Sequence, residues 1–381
     1  MADQSHSFSD RNLVAIDIAK HWNIALVEDT TGKRRSFKLA NRPADYQAFI
    51  QFLHALPGPV RVAFEPTGDY HRTLGYRLRQ EQFEVFSISS VALARFREAR
   101  YGTGDKNDSK DAQVMLAMMK QGLVQVYYDP LHAGSQDWQE LSNTYFQLTL
   151  ARTRLQHSLL LHYIPLYFPE FEQYWYSTRA AWFIRFLLRF PTARAVRALS
   201  YEAFVAEAWE LVGRKVEKRK KLAEIYALAA ETVGLPVALD SPAIEMFRLQ
   251  LARYLELNQQ REQLDRRAQE LLAGNADFQR LQTLPGIAAV LALTILAEAG
   301  DLRRFRHHRQ FLKYCGLNLS KSQSGQSRGK EVLSKRGNKR LRWPSGWRVN
   351  GPCRCVRTLF VISMSAISAP IRSMPTASGR P

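Results

Sequence analysis

Four acidic residues stand where a carboxylate could bind a metal ion. Asp17 follows the apolar run 13–16, Glu65 follows the run 60–64, and Asp108 and Asp111 lie three residues apart. A carboxylate directly after a buried strand is held at the edge of a sheet, and two carboxylates three residues apart share one face of a helix. Mg²⁺ prefers a few carboxylates together with substrate phosphates. The four residues therefore predict a magnesium-dependent site for phosphate chemistry, as in nucleases and recombinases.

Residues 12–125 alternate between strand and helix patterns, and these elements have to position the carboxylates. Three strands come first, then a helix, and then strands and helices in turn. The expected strands cover 13–18, 23–28, 34–39, 60–64 and 84–88, and the expected helices 43–56, 69–82 and 107–121. In an RNase H-like fold, the first strand, a central strand and the last helix bring carboxylates to one edge. The sequence therefore predicts an α/β domain of the RNase H or RuvC-like type.

Residues 135–275 are almost wholly helical in pattern. Two sets of residues recur at heptad spacing, with Arg261 as the polar exception: Phe247, Tyr254 and Ala268 in one set, and Leu257, Leu264 and Leu271 in the other. Such a seam is typical of a coiled-coil hairpin or a dimerisation stalk. The eleven aromatic residues between positions 163 and 190 fit packing of a helical subdomain or stacking on bases. The basic run 214–221 fits a solvated helix face or a contact with a phosphate backbone.

The third region, residues 280–343, combines a turn, a helix and a basic loop. The sequence Leu-Pro-Gly-Ile at 284–287 precedes an expected helix over 288–299. This turn fits an ordinary helix start, or a hairpin whose backbone N–H groups and helix N-terminus meet a phosphate. The loop 320–330 is rich in Ser, Gly, Lys and Arg and cannot be core. The region is therefore expected to be mostly α-helical with a basic loop.

The composition favours a polyanionic partner. The chain has 381 residues, 54 Lys and Arg against 35 Asp and Glu, a net charge of +19 and a pI near 10.0. This length allows two or three domains, and the basic excess favours nucleic acid over a membrane. Three cysteines form no disulfide framework, which fits a reducing compartment. We expect Cys315 to be a small buried apolar residue. No signal peptide or apolar stretch of 18 residues is visible, so we expect a cytoplasmic protein without membrane spans.

Five blocks of sequence resemble one known family. In order along the chain they are "AIDIAK", "FEPTGDY", "KNDSKDA", "LPGIAAVLALTILAEAGDLRRF" and "QSGQSRGKEVLSKRGNKRLR". They are similar to blocks in the DEDD transposases of the IS-110 family, which are related to the Piv DNA invertases. The resemblance covers residues 12–122 and 280–343. It implies a RuvC-like domain, a helical linker over 135–275 and a transposase domain over 280–343, which together move DNA by site-specific recombination.

The resemblance also implies partners and a location. Family members are directed by a structured bridge RNA and act on the DNA of the element ends and the target. They work as homo-oligomers, here expected to be a dimer or a tetramer, with active sites shared between protomers. A bacterial, nucleoid-associated protein is therefore expected. Because RNA–DNA pairing then chooses the sequence, few base-reading side chains are needed.

Individual residues receive roles from the same resemblance. Asp17, Glu65, Asp108 and Asp111 match the metal-binding tetrad, and Ser324 matches the nucleophilic serine. A serine hydroxyl is a poor nucleophile until it is deprotonated or positioned, and Mg²⁺ on the tetrad would supply that activation. The local competitors of Ser324 are Ser320, Ser322 and Ser327. The residues expected to position the phosphate backbone are Arg328, Lys330, Lys335, Arg336, Lys339 and Arg340.

Two other functions stay open, and one segment departs from the family. The chain could be a RuvC-like nuclease that hydrolyses DNA without a covalent link, or an inactive nucleic-acid-binding remnant. Residues 344–381 contain no Asp, Glu or Lys but five Pro, six Ser and five Arg. We interpret this segment as an out-of-frame translation after a frameshift near residue 343, with a disordered tail as the alternative. The nucleotide sequence read in the other two frames distinguishes the two.

Overall fold

The chain divides into two units, residues 1–136 and 137–381. The computed structural model describes residues 11–101, 108–175, 180–212, 217–284, 286–305, 307–320, 323–324, 327–328 and 332–345. At 108–109, 180, 320, 323–324, 327–328 and 343–345 the description is limited to the backbone. Within these ranges, no helix is long and apolar enough to cross a membrane.

A six-stranded mixed sheet forms the centre of the first unit. Its strands are β1 (Asn12–Asp17), β2 (Trp22–Glu28), β3 (Arg34–Ala40), β4 (Val60–Phe64), β5 (Glu84–Ser87) and β6 (Gln125–Val126). The strand order is β3-β2-β1-β4-β5-β6. Strands β1, β4 and β5 are parallel, β2 is antiparallel to β1 and β3, and β6 is antiparallel to β5. Two neighbouring parallel strands, β1 and β4, therefore end side by side.

Helices cover both faces of this sheet. They are α1 (Pro43–His54), α2 (Tyr70–Gln80), α3 (Ser90–Tyr101) and α4 (Asp108–Lys120). Strand side chains alternate between faces, so Val14 and Ile16 join one core with residues of α1 and α2. Leu13 and Ala15 join a second core with residues of α3 and α4. The first unit is thus a three-layer α/β arrangement, which confirms the predicted α/β class.

The sequence pattern predicts most of these elements but misses two. Each predicted strand and helix of the first unit ends within two residues of its observed bounds. The pattern gives no sign of α3, in which Leu93 is the one buried residue among the described side chains. A helix with so narrow an apolar stripe lacks the periodic signal on which such predictions rest. Strand β6 has two exposed residues and is too short to be recognised.

The second unit is built from helices. In its first part these are α5 (Gln136–Ser158), α6 (Ile164–Tyr167), α7 (Ala180–Arg189), α8 (Ala193–Arg197), α9 (Tyr201–Ala208), α10 (Lys218–Leu228) and α11 (Pro242–Leu272). They enclose one hydrophobic core drawn from residues 155–257. Most of the aromatic run lies inside this core, including Phe168, Phe171, Phe183, Phe186 and Phe190. Because these side chains are buried, the interpretation that they pack a helical subdomain is confirmed for them.

Most residues of the heptad seam predicted on α11 are buried within the second unit. Phe247, Tyr254, Leu257 and Ala268 are buried, whereas Leu271 is exposed. α11 packs against α7 and against a later helix that begins at residue 289. These seam residues therefore pack against helices of the same chain.

The remainder of the second unit has its own core. Its helices are α12 (Ala276–Gln282), α13 (Ala289–Ala299), α14 (His308–Tyr314) and α15 (Lys339–Ser345). Between α14 and α15 lie four short strands: β7 (Leu319–Ser320), β8 (Gln323–Ser324), β9 (Ser327–Arg328) and β10 (Val332–Leu333). Cys315 is buried in this core, as predicted. Residues 346–381 lie outside the described residues, so the frameshift interpretation stays a prediction.

Candidate active site

Asp17 and Glu65 line the same cleft. The cleft has a volume of about 520 Å³, and Lys20, Thr67 and Tyr70 also line it. Ile16 and Phe64 are paired in the parallel ladder between β1 and β4, so Asp17 and Glu65 are the next residues at the ends of the two strands. Both side chains are half-buried. The structure therefore brings together the two carboxylates that the sequence assigns to strand ends.

The direction of α4 brings its first turn toward the same edge of the sheet. Lys120, the last residue of α4, forms an ion pair with Glu28. Glu28 lies opposite Leu13 in the antiparallel ladder between β1 and β2, at the start of β1. α4 therefore runs antiparallel to β1, so Asp111 in its first turn lies toward the Asp17 end. By strand alternation Asp17 also shares the sheet face of Leu13, which packs against α4.

Asp111 is held by an arginine that the sequence pattern does not reveal. Arg97 Nε lies 2.9 Å from Asp111 Oδ1, and the two side chains are 11% and 1% exposed. A buried carboxylate requires a compensating charge because desolvation is costly for an ion. Arg97 lies on α3, the helix absent from the sequence prediction, and no motif spacing links it to Asp111. In this structure the Asp111 carboxylate is neutralised by Arg97.

The described carboxylates of the cleft supply some of the oxygen ligands that a hard cation such as Mg²⁺ requires. Among the described side chains, no group of three His, Cys, Asp or Glu residues is close enough to hold a metal ion. Asp108 begins α4, but its side chain lies outside the described residues. Asp17 and Glu65 supply carboxylate oxygens on one open cleft, which suits Mg²⁺ because this ion keeps few protein ligands and takes substrate phosphates as well.

Two uncharged aromatic side chains, those of His71 and Tyr127, pack against Phe64, the residue before Glu65. The ring of Phe64 lies 5.5 Å from that of His71 and 4.9 Å from that of Tyr127, measured between ring centroids. Burial lowers the pKa of His71 below its usual value. Burial also raises the pKa of Tyr127 to about 12. Both side chains are therefore uncharged near pH 7, so neither competes with a cation for the carboxylates.

Ser324 lies on a β-hairpin in the second unit. β7 pairs with β10 and β8 pairs with β9, both antiparallel, and Ser324 is opposite Ser327. The Ser324 side chain lies outside the described residues. Of its competitors, Ser320 pairs with Val332 in the outer ladder, and Ser322 is not among the described residues. Ser324 therefore belongs to the inner ladder, formed by β8 and β9.

The base of this hairpin is a close crossing of two backbone segments. The N–H of Lys335 donates to the carbonyl of Gly316 at 3.0 Å, and the N–H of Asn338 donates to the carbonyl of Tyr314 at 2.8 Å. A Cβ added at Gly337 would overlap the Gly316 nitrogen and the Tyr314 oxygen. Gly337 also has a φ of +158°, which other residues rarely adopt. The crossing therefore depends on glycine at this position.

The six basic residues assigned to phosphate contacts fall into three groups. Lys335, Arg336 and Lys339 are exposed near the hairpin base. Arg340 is half-buried, and its Nη1 donates to Glu298 Oε1 at 2.8 Å. Glu298 in turn accepts a hydrogen bond from Asn338 Nδ2 at 2.6 Å, so Arg340 helps to fasten α15 to α13. For Arg328 the backbone alone is described, and Lys330 lies outside the described residues.

The fold and these residues define a class of protein. An α/β unit carries paired carboxylates at one sheet edge, and a helical unit follows it. Residues 14–169 match a family model described as "Transposase", of the DEDD type of IS110 elements. Residues 278–344 match the model described as "Transposase IS116/IS110/IS902 family". The chain belongs to this IS110 family of transposases, which confirms the resemblance seen in its sequence blocks.

Three relatives illustrate the range of similarity. The "Transposase for insertion sequence element IS1111A" of Coxiella burnetii is 38% identical over 121 residues, 30% of each chain. The "Probable family 20 transposase" of Pseudomonas aeruginosa is 31% identical over 125 residues, 33% of this chain and 37% of the relative. The "Insertion element IS116 uncharacterized 44.8 kDa protein" of Streptomyces clavuligerus is 26% identical over 341 residues, 88% of this chain and 82% of the relative. The match spans 30% and 37% of the length of the first two relatives.

Proposed function

We propose that the protein is the DNA transposase of an insertion sequence and cuts and rejoins DNA by site-specific recombination. The observation that carries this proposal is the cleft in which Asp17 and Glu65 lie at the ends of two adjacent parallel strands. Membership of a transposase family supports the choice of DNA as substrate. The net charge of +19 supports a polyanionic partner.

We propose an RNase H or RuvC-like fold for residues 12–125. The strand order β3-β2-β1-β4-β5, with β2 as the antiparallel strand, supports this assignment. The helical linker over 135–275 and the transposase domain over 280–343 are proposed as subdomains of the second unit. Their separate hydrophobic cores, drawn from residues 155–257 and 268–341, support that division.

The carboxylates Asp17, Glu65, Asp108 and Asp111 are the proposed holders of Mg²⁺. When bound, this ion supplies Lewis-acid stabilisation of the charge that builds up on the scissile phosphate. For Asp111 to join the set, its carboxylate has to exchange Arg97 for the ion. Asp17 and Glu65 line the cleft itself, so they are the ligands on which the proposal depends most.

Ser324 is the proposed nucleophile. Its Oγ attacks the phosphorus, the Oγ–P bond forms, and the bond from phosphorus to the 3′ oxygen breaks. The proton lost by the hydroxyl balances the proton gained by the departing 3′ oxygen, so the products are a phosphoserine and a free 3′ hydroxyl. Because the phosphodiester energy is kept in the phosphoserine, attack by a second 3′ hydroxyl reverses the step and rejoins the strands. A hairpin with a rigid base suits this task, since nucleophile and phosphate must be held in one orientation.

The proposed partners follow from the same family membership. They are the DNA of the element ends and the target, a structured bridge RNA that selects the sequence, and further copies of this chain in a homo-oligomer. Exposed basic residues at the hairpin base, Lys335, Arg336 and Lys339, support a contact with a phosphate backbone.

Strand cleavage by matched carboxylate variants tests the proposal. Asp17→Asn and Glu65→Gln remove a charge at the cleft without changing side-chain size, and Glu98→Gln does the same at an exposed position on α3. With element-end DNA, guide RNA and Mg²⁺, we expect the first two variants to lose cleavage at unchanged circular dichroism and the third to retain it. Full cleavage by Asp17→Asn or Glu65→Gln would show that these carboxylates do not hold a catalytic metal ion. Cleavage without any covalent adduct would favour a hydrolytic nuclease, and DNA binding without cleavage an inactive remnant.

A further inference from the structure

Two arginines face each other across the helix pair formed by α5 and α11. Arg152 Nη1 donates to Asn258 Oδ1 at 3.3 Å, which joins the two helices. Arg261 Nη2 donates to the hydroxyl of Tyr145, and the Arg261 guanidinium carbon lies 4.9 Å from the centroid of the Tyr145 ring. We call Tyr145, Thr149, Arg152, Asn258 and Arg261 the helix-pair site. It therefore brings two positive charges together from different helices.

Neither arginine has a carboxylate partner in the part of the chain that the structure describes. The partners of Arg152 and Arg261 are an amide oxygen, a hydroxyl and an aromatic ring. The acidic residues of α11 nearest in sequence to Arg261 are Glu256, Glu262 and Asp265. Among the described residues, Glu256 accepts a hydrogen bond from Gln260, and the contacts of Arg261 are with Tyr145. Buried positive charges in folded proteins are normally paired with an anion or a carboxylate. The helix-pair site thus carries two guanidinium groups without a counterion from the described residues.

Arg152 and Arg261 are half-buried, and this partial loss of water makes the arrangement unfavourable without an added anion. The Nε atoms of Arg152 and Arg261 and the hydroxyl of Thr149 are buried and have no hydrogen-bond partner among the described residues. Burial, and then the charge of Arg261, lower the pKa of Arg152 below its usual value. Three polar groups of one site are therefore short of partners, and two of them carry like charges. An anion that accepts several hydrogen bonds would satisfy both requirements at once.

We propose that the helix-pair site binds a phosphate group of a nucleic-acid backbone. A guanidinium presents a planar fork of N–H donors that matches phosphate oxygens, and the hydroxyls of Tyr145 and Thr149 add neutral donors. The choice of a nucleic acid rests on the proposed function. The net charge of +19 supports it, because a basic chain attracts polyanions before a second copy of itself. The site shares no residue with the Asp17 and Glu65 cleft or with the Ser324 hairpin, and it anchors the backbone without reading sequence.

Thermal stability of the full chain tests the anion site without any catalytic step. The variants are Arg152→Gln and Arg261→Gln, with Arg154→Gln as the matched control because Arg154 is exposed on the same helix. In chloride we expect both site variants to melt at a higher temperature than the unaltered protein, since one of two like charges is gone. In inorganic phosphate at equal ionic strength, the unaltered protein and Arg154→Gln should gain stability, and the site variants should not. A lower melting temperature of the site variants in chloride would make the arginines structural and overturn the proposal.

Nucleic-acid binding of the same variants identifies the source of the phosphate. For structured RNA and for element-end DNA, the slope of log affinity against log salt concentration should fall by about one for each site variant and stay unchanged for Arg154→Gln. An unchanged slope together with the phosphate effect on melting would mean a site for free phosphate and would overturn the nucleic-acid assignment. A changed oligomeric state of the site variants in sedimentation would assign the site to a carboxylate of a second copy instead. Loss of cleavage activity changes neither readout, so failure of the proposed function remains distinguishable from failure of this site.

Discussion

Without the arginine that neutralises Asp111, the first turn of α4 should unfold far more readily. Arg97 and Asp111 are 11% and 1% exposed, with Nε and Oδ1 2.9 Å apart. Arg97→Met keeps most of the side-chain length but removes the guanidinium that forms this ion pair with a buried carboxylate. Breaking a buried pair in this way costs about 3–5 kcal/mol, whereas replacing both partners with apolar residues is often neutral. We therefore expect Arg97→Met to be strongly destabilised and Arg97→Met/Asp111→Leu to recover most of the loss.

Hydrogen exchange of the α4 amides measures this difference within the full chain. A loss of about 3–5 kcal/mol corresponds to a rise of roughly two to four orders of magnitude in the opening constant. Arg95→Met is the control, because Arg95 is an exposed residue on the same helix. Exchange of α4 in Arg97→Met at the rate of the control would show that the ion pair does not stabilise this helix. A double variant as unprotected as the single one would show that the lost charge is not the cause.

Three further predictions address the second unit. Gly337→Ala should increase hydrogen exchange over 314–338, because the added Cβ overlaps backbone atoms. The control is Gly286→Ala, whose Cβ meets open space. Because Gly286 has a φ of +85°, this variant should have a smaller effect, through backbone strain alone. Cys315, whose pKa burial raises to about 12, should remain a thiol at pH 8 and resist alkylation in native protein while reacting in urea, as peptide mapping would report. Lys339→Gln should reduce the salt dependence of DNA binding by about one contact. Arg340→Gln should instead lower the melting temperature, because Arg340 is paired with Glu298; an equal change in salt slope for both variants would contradict this distinction.

The sequence predicts the first unit well because strong local signals coincide there. The mostly apolar strands 13–18 and 60–64 have no competing helical pattern, and a carboxylate stands near the end of each, Asp17 within the first and Glu65 directly after the second. Once two such strands are parallel neighbours, their ends share an edge, so the meeting of Asp17 and Glu65 follows from topology. The helix carrying Asp111 is equally clear from its apolar spacing.

The parts that sequence reasoning missed depend on contacts between distant segments. Arg97 lies fourteen positions before Asp111 on a helix with one described buried residue, so no periodicity points to it. Arg340 belongs to a basic run that looks like a phosphate-binding surface, and the partner that engages it, Glu298, lies on another helix. The seam on α11 has coiled-coil spacing, but a heptad pattern does not say whether the covering helix comes from the same chain. Each of these outcomes is decided by tertiary packing.

Detection of a covalent link between Ser324 and DNA tests the proposed recombination mechanism most directly. Element-end DNA with a nick beside the cleavage position lets the cut fragment diffuse away, so the adduct accumulates and mass spectrometry can locate the phosphoserine. We expect an adduct at Ser324 in the unaltered protein and in Ser327→Ala, and no adduct in Ser324→Ala, with DNA binding unchanged in all three. An adduct of normal yield in Ser324→Ala would contradict this mechanism.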